Sequence, residues 1–434
     1  LAQQVVAIVA LGGIPVDDLF RIVRRAAPFS DLPRDAFHSV LTMLAEPGPW
    51  SVRPRIAWDR VNDVLLPLPG SQRLAVTSGG AIPDTGQYGV YTEAGDRIGE
   101  LDEEFVYEAR VGEVVVLGLN RWRILDITHD RVVVVAGDGP AKIPFWRGEA
   151  YGRDLHLGQA VGVLSREIEA RLGDPDLVPW LGEACALDPA AAENTVRYVA
   201  LQRERGIVPT DRRLVIEGFP DEGGGVRLAV LTPYGKRFHL ALRLALLARF
   251  RDEVGLEPAS LHSDSGILFR LTQVPFERAV AIIEGLRGDE VERLLLAELA
   301  RSPLFGLRFR ENAGRALLLP RDRPGRRSSF WLRRLSARDL LEAVRAQPGF
   351  PLVTETYREI LQDILPVDGV RDWLGRLERG EVEVAVHHGV APSPFAASLL
   401  WEFQAAYLYQ WDEPKPGPVP TGIASCDLLP LLGR

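Results

Sequence analysis

The 434-residue sequence predicts an α+β fold, and three observations predict it. Its first 46 residues hold three short segments whose apolar positions recur every three to four residues. From about residue 81 short valine- and aromatic-rich runs follow one another, separated by Gly, Asn and Asp. Beyond residue 153 helical and strand patterns alternate. Runs of strands set beside runs of helices lead to an α+β architecture.

The N-terminal segments justify the first element. Ala2, Val5, Val6 and Val9 line one face of the first helix, Val16, Leu19, Phe20 and Val23 one face of the second, and Phe37, Val40, Leu41 and Leu44 one face of the third. Pro15 and Pro33 stand where first-turn prolines belong. Three small helices followed by the extended, basic SVRPRIAWDR and LLPLPGSQRL predict a winged helix over residues 1–80. In such a unit the third helix and the wing can meet nucleic acid. Arg34, His38, Ser39 and Thr42 would form the exposed face of that helix, and Arg53 opens the wing. The same unit could equally pack against a neighbouring domain.

Residues 81–153 form the second element. YGVYTEAG, EEFVYEAR, GEVVVLGL, NRWRILDI and DRVVVVAG predict an antiparallel β-barrel or curved sheet of five or six consecutive strands, with IPFW as its last strand or exit. Residues 154–410 read as a large, mixed helical platform. It holds helices near 155–172 and 188–206, strands RLVIEGF and VRLAVLT, an amphipathic helix at about 236–253, the strand ILFRL, further helices, the strand VEVAVHHG and a closing helix. Residues 81–410 together make one domain, and the Pro/Gly-rich DEPKPGPVPTG marks 411–434 as linker and tail. There is no internal repeat.

Composition narrows the function. A hydrophobic content of 46% with 25% charged residues describes a soluble globular protein of two to four domains. The formal charge of −8 excludes a uniformly basic coat but not a local patch. Cys185 and Cys426 are far apart with no CxxC, so neither a disulfide framework nor a zinc finger is indicated, and a reducing, cytoplasmic interior is expected. VVAIVALGGIPV is too short to span a bilayer and no membrane partner is expected. The chain starts at Leu1 in LAQQ rather than at methionine, which points to a fragment or a processed product.

Much chemistry is missing from the sequence. No stretch fits GxxxxGK[ST], GxSxG or HExxH, and no GxGxxG has a strand-to-helix setting. GELDEEF resembles an acidic Walker B pair but lacks the preceding apolar strand. His387 and His388 lie adjacent on a strand, where neighbouring side chains point to opposite faces. Asp211, Glu217, Asp221 and Asp264 have no visible catalytic partner, so structural ion pairs are the expected role.

Charge is concentrated in one place. From Arg301 to Arg338 there are eleven arginines against Glu311 and Asp322, a local net of +9. Phe305, Phe309, Phe330 and Trp331 are interleaved with them, the mixture expected where a strand's backbone is tracked and its bases stacked. A solvated face or inter-helix ion pairs would account for the same composition. Trp146, in IPFWRGE, is either a core residue or a ring projecting from the sheet beside Arg147 to stack on a base.

The ordered motifs LAQQ, GGAIPDTGQYGVY, IGELDEEFV, GEVVVLGLNRWRI, IPFWRGE, YVALQ, PTDRRLVIEGFPDE, YGKRFHLAL, SDSGILFRL, SPLFGLRFRENAGRALLLPR, FPLVTETYREILQDIL and SPFAASLL closely resemble the large helicase-related (Lhr) family of superfamily 2, from residue 1 to about 410. The family places two RecA-like motor domains before a winged helix and a large helicase-associated domain, and its motor is an ATP-dependent 3′-to-5′ DNA translocase that unwinds duplexes, RNA:DNA hybrids among them. The resemblance covers only the part after the motor. It implies a single-stranded nucleic-acid-binding accessory module, no cofactor in this chain, and ATP and Mg2+ in motor domains elsewhere. By that resemblance Trp146 stacks on a nucleobase, and Arg147, Arg308, Arg310, Arg315, Arg326 and Arg327 contact phosphates. Two other readings stay open: a base-excision enzyme resembling a DNA glycosylase, in which an acidic residue meets a flipped base, and a clamp for a partner protein.

Overall fold

The computed structural model describes residues 1–47, 53–77, 87–102, 111–117, 120–128, 131–137, 141–142, 152–221, 224–300, 302–319, 330–345 and 349–409, with the isolated residues 80, 106, 109 and 347. The chain forms two compact units, one built around Leu1–Glu149 and Ser302–Arg358, the other around Ala150–Arg301 and Glu359–Val419.

The first unit opens with α1 (Ala2–Val9), β1 (Ile14–Pro15), α2 (Val16–Val23), α3 (Arg34–Ala45), β2 (Ile56–Asp59) and β3 (Val64–Pro67). Its sheet runs β1-β3-β2, all antiparallel, which is the winged-helix arrangement. Ala2, Val5, Val6 and Val9 are buried as the spacing predicts, and so are Val16, Leu19, Val23, Phe37, Leu41 and Leu44. Phe20 and Val40 are only half-buried, while Met43 is buried in addition. Pro15 and Pro33 stand one residue earlier than expected, as N-caps with ψ of 142° and 145°. The ring-fixed φ near −65° serves an extended residue as well as a helical one. LLPLPGSQRL is not extended throughout: β3 ends at Pro67, the chain turns at Gly70 (φ 95°), and α4 (Ser71–Thr77) follows.

Six strands come next: β4 (Gln87–Thr92), β5 (Arg97–Asp102), β6 (Val114–Leu117), β7 (Asn120–Ile127), β8 (Arg131–Ala136) and β9 (Ala141–Lys142). They make a curled half-barrel in the order β5-β4-β8-β7-β6-β9. Alternate residues Val90, Leu101, Val115, Leu117, Ile124, Val132 and Val134 fill its core. The expected purely antiparallel order is corrected in two places, since β4 pairs with β8 and β6 with β9 in parallel. A curled sheet pairs strands that are distant in sequence, and local turn signals do not set their direction. RIGELD forms the second strand; of EEFVYEAR, Val106 is helical and all but it and Ala109 lie outside the described residues. IPFW lies outside the described residues.

The second unit begins with α5 (Leu155–Ala170), α6 (Leu177–Cys185) and α7 (Pro189–Arg205), packed around Ile168, Leu177, Leu181, Ala192 and Val199. Then come β10 (Arg213–Pro220), β11 (Val226–Leu231), α8 (Lys236–Val254), β12 (Ala259–His262), β13 (Gly266–Leu271), α9 (Phe276–Glu284) and α10 (Val291–Leu299). The chain returns to the first unit for α11 (Pro303–Arg315), α12 (Phe330–Val344) and α13 (Pro351–Arg358). It ends in the second with α14 (Val367–Glu378), β14 (Glu383–His388) and α15 (Pro394–Tyr409). The five-stranded sheet has the order β12-β13-β11-β10-β14, with only β10 and β14 parallel.

That sheet is covered on both faces. Val215, Phe219, Ala229, Leu231 and Leu268 meet Ala396 and Leu399 of α15. On the other face lies α8, whose Phe250 ring sits 5.5 Å from Phe269. The expected amphipathic helix is instead buried on most sides, with Phe238, Ala241, Leu242, Leu244, Ala245, Leu246, Leu247, Ala248 and Phe250 buried. It packs against the sheet and also against α9, α10 and α14, so it needs no solvent face over most of its length. Among the described residues no helix is long and apolar enough to cross a membrane.

Candidate nucleic-acid interface

In the winged helix, the wing is the β2–β3 turn. Asp59 Oδ1 accepts hydrogen bonds from the backbone N–H of Val61 (2.9 Å) and Asn62 (3.2 Å), and the Asn62 side chain donates to Asp59 Oδ2 at 2.7 Å. These bonds, that of the Asn62 side chain first, hold the Asp59 carboxyl below its ordinary pKa. Val61 is left at the tip, 92% exposed. The Arg60 guanidinium lies 3.4 Å from the centroid of the Trp58 ring, pairs with Glu46 and donates to Thr42 Oγ1 at 3.3 Å. His38 meets the same indole edge-on at 5.7 Å.

This wing-to-helix stitching corrects the expected face of α3. His38, Ser39 and Thr42 are half-buried and only Arg34 is exposed. Arg34 is itself engaged: it pairs with Asp17 and lies 5.6 Å over the Phe20 ring. Arg53 differs. It is exposed and makes no hydrogen bond or ion pair among the described residues. Two residues on, the Arg55 backbone carbonyl accepts from Ser71 Oγ at 2.7 Å, and Arg55 Nε donates to the Leu317 carbonyl at 2.8 Å. Burial lowers the Arg55 pKa. Exposed Arg73, on α4, lies two residues beyond Ser71; it had been hidden within a segment read as wing.

The arginine-rich stretch resolves into a different picture on α11. Ser302 caps the helix by accepting from Phe305 N at 3.2 Å. Phe305 and Phe309 are buried, with Phe305 packed 4.6 Å from Tyr357, so the expectation that they stack on bases is corrected. Their i, i+4 spacing puts both on the helix's core face. Burial also pushes the Tyr357 phenol up to about 12. Arg308 donates to Glu311 Oε2 at 2.8 Å, and Arg315 lies 3.5 Å from the same oxygen and donates to Asn312 Oδ1 at 3.2 Å. Asn312 in turn donates to Thr356 Oγ1 at 3.2 Å. One carboxylate thus serves two of the expected phosphate contacts, and the Arg308 side chain is only 13% exposed. Arg310 is half-buried and also partnered. Trp146, Arg147, Arg326 and Arg327 lie outside the described residues.

The four carboxylates with no visible partner in sequence have structural partners. Asp211 pairs with Arg166 at 2.8 Å, and Asp221 with Arg227 at 2.8 Å and Arg270 at 2.7 Å. Glu217, fully buried, is not ion-paired but accepts from Ser393 N (2.7 Å) and Oγ (2.6 Å) at the start of α15. Asp264 likewise accepts from the backbone N–H of Arg153 (2.7 Å) and Lys236 (2.8 Å). The adjacent histidines separate, the His388 ring lying tilted against Phe276 at 4.0 Å.

Comparison with known proteins adds to this geometry. Residues 1–143 match the family model for the winged helix domain of large helicase-related protein, and residues 208–396 the model described as DEAD/H associated. The chain is 42% identical over 424 residues to a Mycolicibacterium smegmatis protein named Lhr helicase/probable uracil glycosylase, spanning 95% of this chain and 28% of that one. It is 39% identical over 431 residues to an Escherichia coli protein named Lhr helicase/uracil glycosylase, spanning 95% and 27%. A Saccharolobus solfataricus ATP-dependent helicase Lhr-Core is 27% identical, spanning 92% and 47%. The solved structure of Mycobacterium smegmatis helicase Lhr bound to ssDNA and AMP-PNP is similar with a TM-score of 0.73 and 38% identity, over 92% of this chain and 47% of that one. The chain therefore spans between about a quarter and a half of the length of these relatives.

Proposed function

The chain belongs to the large helicase-related family, as a winged-helix domain joined to a DEAD/H-associated domain, and from that premise we propose that it is the single-stranded nucleic-acid-binding accessory module of an ATP-dependent 3′-to-5′ DNA helicase. The observation that carries this reading is its likeness, over 92% of its length, to a relative solved with ssDNA bound. In this reading the module acts in the cytoplasm beside RecA-like motor domains, which hold ATP and Mg2+, and it clamps the tracking strand so that translocation is coupled to unwinding. The strand is single-stranded DNA, either alone or displaced from an RNA:DNA hybrid. Trp146 stacks on a base, Arg147, Arg326 and Arg327 are phosphate contacts, and Arg53, ahead of β2, is a further exposed cation with no partner among the described residues.

The test is oligonucleotide binding by Trp146→Ala, read by fluorescence anisotropy together with a melting curve. Loss of one stacked base should weaken affinity by about 1–3 kcal/mol with the fold intact. An unfolded variant, or an unchanged affinity, would remove the indole from the interface. A second reading draws on the words "uracil glycosylase" in two relatives' names. Incubation with a uracil-containing oligonucleotide followed by cleavage of abasic sites separates the two, and we expect the strand to stay whole.

A further inference from the structure

A second group of cations lies in the other unit, along the side of α8. Lys236 and Arg243 stand seven residues apart, two helical turns along one face. Opposite them is β12, the edge strand of the five-stranded sheet. Ala259 and Leu261 of that strand pack with the α15 cluster, which leaves Ser260 and His262 on the α8 face. Arg243 Nε donates to Ser260 Oγ at 2.8 Å and joins the two elements. Lys236, Arg243 and His262 are all half-buried.

The cations Lys236 and Arg243, with the His262 ring beside them, differ from the other cations of their unit. Arg166, Arg213, Arg227, Arg270 and Arg371 each hold a carboxylate at 2.7–2.9 Å. Among the described residues, Lys236, Arg243 and His262 have no carboxylate at ion-pair distance, and the Nη groups of Arg243 have no hydrogen bond. Glu257 and Glu298 act on Arg243 from a distance, but both are bound by Arg251. Asp264 is taken up by backbone N–H groups, including that of Lys236, so the helix start is already capped. Burial, against the pull of Glu298 and Glu257, lowers the Arg243 pKa. Burial first, and then Arg243, Lys236 and His239, bring His262 down to about 3. Half-buried positive charge with no internal counter-charge is costly unless an anion is supplied from outside.

We propose that Lys236, Arg243 and His262, with the Ser260 hydroxyl, form an anion site that takes one phosphate of a single-stranded nucleic-acid backbone. The inference rests on the nucleic-acid reading above but on none of its residues. The Arg243 fork offers two parallel N–H donors, Lys236 a point charge, and His262 a ring N–H.

Lys236→Gln, Arg243→Gln and the double variant test it through the salt dependence of oligo(dT) binding between about 50 and 200 mM NaCl. Each phosphate contact on a single strand contributes roughly 0.7 to the slope of log K against log salt. The double variant should lose about that much while its melting temperature holds. An unchanged slope in a folded double variant overturns the proposal. If the double variant does not fold, Lys236→Gln decides alone, because the Lys236 ammonium has no partner among the described residues to lose: a lowered slope supports the site and an unchanged one overturns it. Inorganic phosphate that stabilises the wild type but not the variants, with the oligonucleotide slope unaltered, would assign the site to free phosphate and overturn the backbone reading. A wild-type chain that binds no oligonucleotide sinks both readings, whereas binding with an unaltered slope sinks this one only.

Discussion

Helices α11 and α8 both carry cations at helical spacing, yet the two sets stand in opposite electrostatic situations. On α11, Arg308 and Arg315 converge on Glu311 and the aromatic neighbours are core. On α8, Lys236 and Arg243 face a strand that offers a hydroxyl and an imidazole in place of a carboxylate. The set that stood out in the sequence is the more neutralised in the fold. Charge counted along a chain is therefore a poor measure of charge available to a ligand; what counts is whether the fold has already spent it on an internal partner.

The largest expected effect is on the α8 side, where a further cation would have to be created inside the fold. His239 is fully buried between Thr232 Oγ1 (2.5 Å) and the Ser263 carbonyl (2.7 Å). Burial lowers its pKa to about 4, with the Ser263 bond and Asp264 opposing and Arg153 assisting. Its folded pKa lies below its ordinary value of 6.5. Its contribution is therefore fully present above pH 6.5, where both states are neutral, and falls away as pH drops from 6.5 toward 4 and the unfolded chain takes up a proton that the folded one refuses. The full swing is about 3 kcal/mol. Urea melts at pH 7 and pH 4.5 should show most of that loss, and His239→Gln should flatten it. A pH-independent midpoint in the wild type would mean that α8 tolerates a further, buried charge.

A smaller effect tests the α11 side. Glu311→Gln removes the carboxylate that Arg308 and Arg315 share. Breaking a pair that is 12–13% exposed should cost about 1–2 kcal/mol, between the values for exposed and buried pairs. The same change should tighten oligonucleotide binding and steepen its salt slope by roughly 0.7 for each phosphate that a freed arginine reaches. A destabilised variant with unaltered binding would show that these arginines are purely structural, and would leave α11 outside the interface.

The comparison also explains what could be read in advance. The winged-helix cores were legible because Val5, Val9, Leu19, Leu41 and Leu44 repeat at a period that only one local structure satisfies. The core face of α11 was equally legible, since Phe305, Phe309 and Ala316 mark it at i, i+4 and i+11, but the arginines between them drew attention to composition over spacing. α8 was read as amphipathic because Arg237, Arg243, Arg249 and Arg251 break its apolar run. Their long stems let the charged heads reach carboxylates or the sheet edge while the helix stays enclosed. The parallel pairing of β4 with β8 joins strands distant in sequence and has no local signal. That Lys236 and Arg243 meet no carboxylate at ion-pair distance among the described residues likewise depends on neighbours across the fold, which a linear sequence does not contain.

The smallest expected effect applies the same distinction within the winged helix, between two arginines that sequence alone treats as equals. Arg34 is held by Asp17 and covers Phe20, whereas Arg53 is exposed and unpartnered among the described residues. Arg53→Gln should therefore lower the salt slope of single-strand binding by up to about 0.7 with no change in melting temperature. Arg34→Gln should leave the slope alone and cost at most about 1 kcal/mol of stability, as expected for an exposed pair with an added ring contact. Equal slopes for both variants would mean that the strand pulls Arg34 from Asp17 on binding. In that case pairing in the unbound fold would no longer separate structural arginines from contact arginines, on α11 as much as on α3.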